Sequence, residues 1–166
     1  MSLNHFKLFC AHRVPFVLAL GAMLCACAPQ EEIQITRVWL RAAPPSRDTT
    51  AAYMQIENTT FLDNALIAAE TSAADIVELH AMTGKDEVMR MRPVKEIALP
   101  KQDTVIMEPG GYHLMLFGLQ RPLQEGDVIY FTLFFKNQTT KIVKAEILKE
   151  TPPLSRLPGT AFETDG

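Results

Sequence analysis

Between His80 and Met115 the chain places two of its four histidines and five of its eight methionines: His80, Met82, Met89, Met91, Met107, His113 and Met115. Three of the spacings are two residues: His80 with Met82, Met89 with Met91, and His113 with Met115. On a β-strand, residues two apart point to one face, so each pair offers two donors in a single direction. Neutral imidazole combined with thioether sulfur suits Cu(I). That ion is soft, accepts trigonal or tetrahedral geometry, and asks no ligand to lose a proton from sulfur. Zn(II) would prefer thiolate, carboxylate or more histidine. A donor set without charge also favours the lower oxidation state, which fits transport better than redox catalysis. The bland alternative is packing, since methionine is an ordinary filler of core gaps and a lone histidine is usually structural. Isolated methionines such as Met54 and Met107 fit packing. The repeated two-residue spacing favours a metal site.

Strands must supply that face. From Ile33 the chain reads as short alternating segments separated by turn signals. They run over 33–41 (with a shift near Val38-Trp39-Leu40), 52–57, 65–70, 75–82, 87–92, 94–99, 104–108, 112–119, 128–136 and 140–148. Nine or ten strands about ten residues apart, with no convincing amphipathic helix, predict an antiparallel β-sandwich or barrel. Ser72 to Asp75 is the one candidate for a helical turn. A hairpin centred on Lys85-Asp86 would set Met82 opposite Met89 and His80 opposite Met91, all four on one face. Val77, Leu79 and Ala81 read as core on the first of these strands, whereas Arg90 and Arg92 do not on the second. The ligand face is therefore expected where the sheet frays at its rim. His113-Leu114-Met115 must arrive from a non-adjacent strand. Pro109-Gly110-Gly111 turns the chain into it, with Tyr112, Leu114 and Leu116 buried and His113 and Met115 facing outward.

The ends set the compartment. Lys7 and Arg13 precede an apolar run over 14–28, too short for a comfortable span and typical of a secretory signal core. Leu24-Cys25-Ala26-Cys27 resembles a bacterial lipobox, so Cys27 is the expected lipidation site and 1–27 the expected signal peptide. All three cysteines lie in this leader, and an exported domain over 28–150 must then be held by its core. Without thiols in that domain, any copper site there uses His, Met or carboxylate, and a blue-copper centre is ruled out. Removing the leader leaves 14 Lys+Arg against 19 Asp+Glu, a net charge of −5. No basic stripe with interleaved aromatics is present, so nucleic acid is not an expected partner. Residues 151–166 are proline-rich and polar, which predicts a flexible tail.

The wider pattern is recognisable. His80, ten intervening residues, Met91, twenty-one more, then His113-Leu114-Met115 resembles the copper-binding motif of the periplasmic copper chaperone family called PCuAC. Val77-Glu78-Leu79-His80, Val88-Met89-Arg90-Met91-Arg92-Pro93, Pro109 to Leu116 and Leu123-Gln124-Glu125-Gly126-Asp127 resemble it too, as does Ala51-Ala52-Tyr53-Met54 followed by Glu57-Asn58. The resemblance covers about residues 35–148 and implies an all-β, cupredoxin-like Greek-key β-sandwich of one domain.

By the same resemblance, one Cu(I) per chain is held at a partly exposed rim by His80, Met91, His113 and Met115. Met82 and Met89 become neighbours that shield the ion or help pass it on. It also implies delivery of copper to cytochrome c oxidase subunit II or a Sco-type protein, and the expected location is the periplasm, with the lipobox adding a membrane anchor through Cys27. Some relatives carry a His- and Met-rich C-terminal extension. The segment after Glu150 has neither residue, so a single site is expected; the chain is also expected to be a monomer. A structural or adhesive lipoprotein with packed methionines is the competing expectation. An enzyme is not expected, because no nucleophile elbow or paired-histidine zinc motif occurs.

Overall fold

A computed structural model describes residues 32–85 and 88–152; the expected signal peptide with Cys27, Asp86 and Glu87, and all but the first two residues of the expected flexible tail over 151–166 lie outside the described residues. The described residues are all β. In chain order the strands are β1 (Ile33–Arg41), β2 (Thr49–Asn58), β3 (Asn64–Glu70), β4 (Ala74–Lys85) and β5 (Val88–Pro93). They continue as β6 (Ile97–Leu99), β7 (Asp103–Met107), β8 (Tyr112–Leu119), β9 (Val128–Phe135) and β10 (Thr140–Leu148). Hydrogen bonding links them in the order β5-β4-β8-β7-β2-β1-β10-β9-β3-β6, with β8 also paired to β2. The sheet folds over on itself, bringing β3 against β4 and β6 against β2 and β7. The result is the expected cupredoxin-like Greek-key sandwich, with β1 and β10 paired in parallel through Trp39–Glu146 to Arg41–Leu148.

Alternation decides what lies inside. Leu79, Leu114, Leu116, Phe131, Leu133 and Phe135 belong to the buried cluster between the layers. Burying each such side chain stabilises the fold by roughly 1.5–3 kcal/mol. Met54 and Met107 are buried and face each other across β2 and β7, so packing accounts for both. Asn58 is fully buried and satisfied. Its amide donates to the carbonyls of Leu62 and Leu99, both at 2.9 Å, while its Oδ1 accepts from the Thr60 hydroxyl at 2.7 Å. A single side chain thus ties the turn after β2 to β6.

Where the alternation of β1 shifts, the ladder with β2 carries a bulge between Thr36 and Trp39, and Arg37 adopts a φ of 55°. Trp39 then pairs with Tyr53, their rings 4.6 Å apart. Two local expectations fail. Ser72 and Ala73 form a turn rather than a helical one, because Ala74 already pairs with Leu119 and opens β4. The strand expected over 94–99 shrinks to Ile97–Leu99, which pairs with β3 and not with the preceding β5.

Candidate metal centre

β4 and β8 build the base of the site. They are antiparallel neighbours, with His80 directly opposite His113, Glu78 opposite Met115 and Leu79 opposite Leu114. The strand bearing His113 is thus remote in sequence, as expected, and pairs directly with β4 in the sheet. Leu79 and Leu114 point into the sandwich, so Glu78, His80 and Met82 share the other face of β4 with His113 and Met115. The turn into β8 is closed by a bond from the Gly111 amide to the Glu108 carbonyl at 2.9 Å. Gly110 in that turn has a φ of +90°, which glycine adopts without steric cost.

Although this face lies away from the main core, both imidazoles are buried: His80 is 7% exposed and His113 2%. The expectation of outward-facing histidines is therefore corrected. Their ring centroids are 5.7 Å apart, with Phe117 6.2 Å from His80 and Tyr53 6.3 Å from His113. Tyr53, paired with Trp39 beyond it, extends the aromatic row to β1. Burial raises the pKa of the Tyr53 phenol, with Arg41 pulling the other way, so the ring stays neutral. Tyr112, expected to be buried, is more than a third exposed, because its core-side position lies at the very start of β8.

Each imidazole has one nitrogen engaged and one left over. His113 Nδ1 lies 3.1 Å from the Gly111 carbonyl oxygen, which can only accept; Nδ1 therefore carries the proton. His80 Nε2 lies 2.8 Å from Glu78 Oε2, and a carboxylate likewise draws the ring proton to Nε2. The remaining nitrogens, His80 Nδ1 and His113 Nε2, are buried without a hydrogen-bond partner. Leaving such a group unsatisfied costs about 1–3 kcal/mol, and native proteins rarely do so without a functional reason. Burial lowers the pKa of His113; its bond to Gly111 opposes this and neighbouring His80 adds to it. The Nε2 lone pair is thus kept free of protons and available to an electrophile.

The methionines surround this pair unevenly. Met82 and Met115 are half-buried, while Met91 and Met89 on β5 are 47% and 56% exposed. The β4–β5 register differs from the expected one by two residues. Met82 faces Met91, Gly84 faces Met89, and His80 faces Pro93. The ladder continues to Lys85–Val88, so its centre lies one residue later than a turn at Lys85-Asp86 would put it. A two-residue shift preserves the face and changes the partners. Met91 moves from directly opposite His80 to a diagonal position, and Met89 moves a further step along β5 away from it. β5 is also an edge strand, and Arg90 and Arg92 on its other side are exposed, as expected for a fraying rim.

Among the described residues, no three of His, Cys, Asp and Glu gather to hold a metal. A third donor beside the two imidazoles would be thioether sulfur, and Met82, Met91 and Met115 are the nearby candidates. Such a set suits a soft monovalent cation. Glu78 was visible in the sequence only as part of a motif. Its position two before His80 on one strand is the signal that could have revealed it as that ring's partner.

Residues 33–147 match the sequence profile of the family described as "Putative lipoprotein LpqE-like". The chain belongs to this LpqE-like family. It is 32% identical over 116 residues to "Putative lipoprotein Lxx21020" of Leifsonia xyli subsp. xyli, covering 69% of each chain. Among solved structures, the apo PCuAC domain from PmoF1 superposes with a TM-score of 0.62 at 19% identity, spanning 72% of this chain and 95% of that one. The Cu(I) form of DR1885 from Deinococcus radiodurans matches with a TM-score of 0.53 at 31% identity, spanning 75% of this chain and 82% of that one. The LpqE-like chain therefore has the PCuAC-type domain that its motif spacing resembles.

Proposed function

We propose that this LpqE-like protein is a Cu(I) metallochaperone of the bacterial envelope, which holds one ion per chain and passes it on. The ligands in this reading are His80, Met91, His113 and Met115, with Met82 and Met89 alongside. The observation that carries it is the pair of buried, partnerless ring nitrogens on opposed residues of β4 and β8, bordered by methionines. A Cu(I) ion satisfies both lone pairs at once, and two thioethers complete a neutral shell. The 31% identity to a chain whose structure was solved with Cu(I) supports the same cargo. Exposure of Met91 argues against the competing reading of a structural lipoprotein with packed methionines, since a packing role requires burial.

Carrier function follows from the ligand chemistry. Uncharged donors can be replaced one at a time, so an accepting protein can take the ion without its being released free. The acceptor in this reading is the copper site of cytochrome c oxidase subunit II, directly or through a Sco-type thiol protein. The protein acts as a monomer in the periplasm, lipid-anchored through Cys27, in keeping with the lipoprotein names of its family and relative. It has no catalytic residues in this reading and is not an enzyme.

Anaerobic titration against a Cu(I) chelator tests the cargo. One equivalent should bind, and His80→Ala, Met91→Ala and His113→Ala should each weaken binding; unchanged affinity in all three would end the assignment. Mass spectrometry of the mature N-terminus, beside a Cys27→Ser control, tests the anchor.

A further inference from the structure

The two imidazoles are held by different kinds of group, and the leftover nitrogen differs between them. His113 is fixed by a backbone carbonyl, that of Gly111, and its free nitrogen is Nε2. His80 is fixed by a side chain, the Glu78 carboxylate, and its free nitrogen is Nδ1. We infer that His80 ligates the ion through Nδ1 and His113 through Nε2, with Glu78 the positioning residue that enforces the choice at His80. This inference rests on the Cu(I) reading above and adds the identity of the coordinating atoms and of the group that selects one of them.

Strand geometry supports it. Glu78 and His80 are two residues apart on β4 and share a face, and their contact is a charge-assisted bond of 2.8 Å. The carboxylate can only accept, so it keeps the proton on Nε2 and bares Nδ1. Ligation through Nε2 instead would break that bond. It would also place an N–H at Nδ1, where the structure offers no hydrogen-bond partner. An anionic acceptor behind the ring further raises the donor strength of the opposite nitrogen. The His80 ring is nearly buried, whereas the Glu78 side chain is 46% exposed, so the carboxylate can be altered with little cost to packing.

Long-range proton–nitrogen correlation NMR on the nitrogen-labelled protein reads the tautomers directly. In the copper-free protein His80 should show a protonated Nε2 and a bare Nδ1, and His113 the reverse. Anaerobic Cu(I) should shift His80 Nδ1 and His113 Nε2. Glu78→Ala should release the His80 tautomer and lower Cu(I) affinity about 10–100-fold, the range seen when an outer partner of a metal ligand is lost. Glu78→Gln, whose amide oxygen can still accept from Nε2–H, should restore the tautomer and most of the affinity. The inference is overturned if Cu(I) shifts His80 Nε2 while Nδ1 stays put. It is also overturned if Glu78→Ala changes neither tautomer nor affinity. Failure of the wild-type protein to bind Cu(I) would instead remove the underlying cargo reading, a result separable from the copper-free tautomer pattern.

Discussion

The two sides of β4 contribute to the site in opposite ways. Toward β8, the rungs are regular, the imidazoles are buried, and each ring is locked by a hydrogen bond that leaves one lone pair bare. Toward β5, the partner is an edge strand whose methionines stand in solvent. The first side resembles an active site built before its ligand arrives, with an unsatisfied cost held in place by the sandwich beneath. The second resembles an open door. For the proposed carrier this division would be useful: the imidazoles would keep affinity, and the exposed sulfur would be where a partner begins to displace ligands.

Deleting the buried side should have the largest effect. His113→Leu keeps comparable bulk but removes Nε2, and Cu(I) affinity in chelator competition should fall by at least ~100-fold, beyond the usual loss for an outer partner. The copper-dependent rise in melting temperature should vanish with it, since a ligand stabilises only the state that binds it. A variant that still binds near wild-type strength would show that the buried lone pairs are incidental. On the open side, Met91→Leu removes a sulfur from an exposed residue. The apo fold should change by no more than ~0.5 kcal/mol. Affinity should fall roughly tenfold, equivalent to about 1.4 kcal/mol. A loss as large as that of His113→Leu would erase the proposed division of labour.

The same contrast explains what could be read from the sequence. The strands over 112–119 and 140–148 were legible to the residue, because each is bounded by a clear turn, and in the second buried and exposed positions also alternate strictly. The shared face of His80, Met82, Met91, His113 and Met115 was legible too, since it needs only the two-residue period. The β4–β5 register was not: with both faces of β5 exposed, no buried side chain penalises a two-residue shift. Burial of the histidines was also hidden, because Tyr53 and Phe117 reach them from pairings that span distant sequence. The Gly111 carbonyl leaves no trace in residue types at all.

A smaller effect should come from pH, and it belongs to the buried side. Burial lowers the pKa of His113 below its ordinary value near 6.5. Between that value and the lowered one, the unfolded chain binds a proton at this position that the folded chain refuses. The contribution to stability is therefore complete above the unfolded value and declines as pH falls through the window toward the folded value. Urea midpoints of the copper-free protein should drop on acidification, and His113→Leu should flatten part of that slope. An identical slope in the variant would mean that His113 titrates normally.

The smallest effect is expected at Met89, and it separates the two possible registers of the rim. In the observed pairing Met91 lies one diagonal step from His80, a distance of roughly 7–8 Å that a long side chain can span. Met89 lies two residues further along β5, which adds about 7 Å at the usual rise of a strand. Its sulfur therefore falls outside the shell that the imidazoles anchor, and Met89→Leu should leave Cu(I) affinity within about a factor of two, well under one tenfold step of ~1.4 kcal/mol. Had the hairpin closed at Lys85-Asp86, Met89 would face Met82 and Met91 would face His80, and both substitutions would weaken binding. Equal losses at Met89 and Met91 would thus contradict the observed register, whereas loss at Met91 alone requires it.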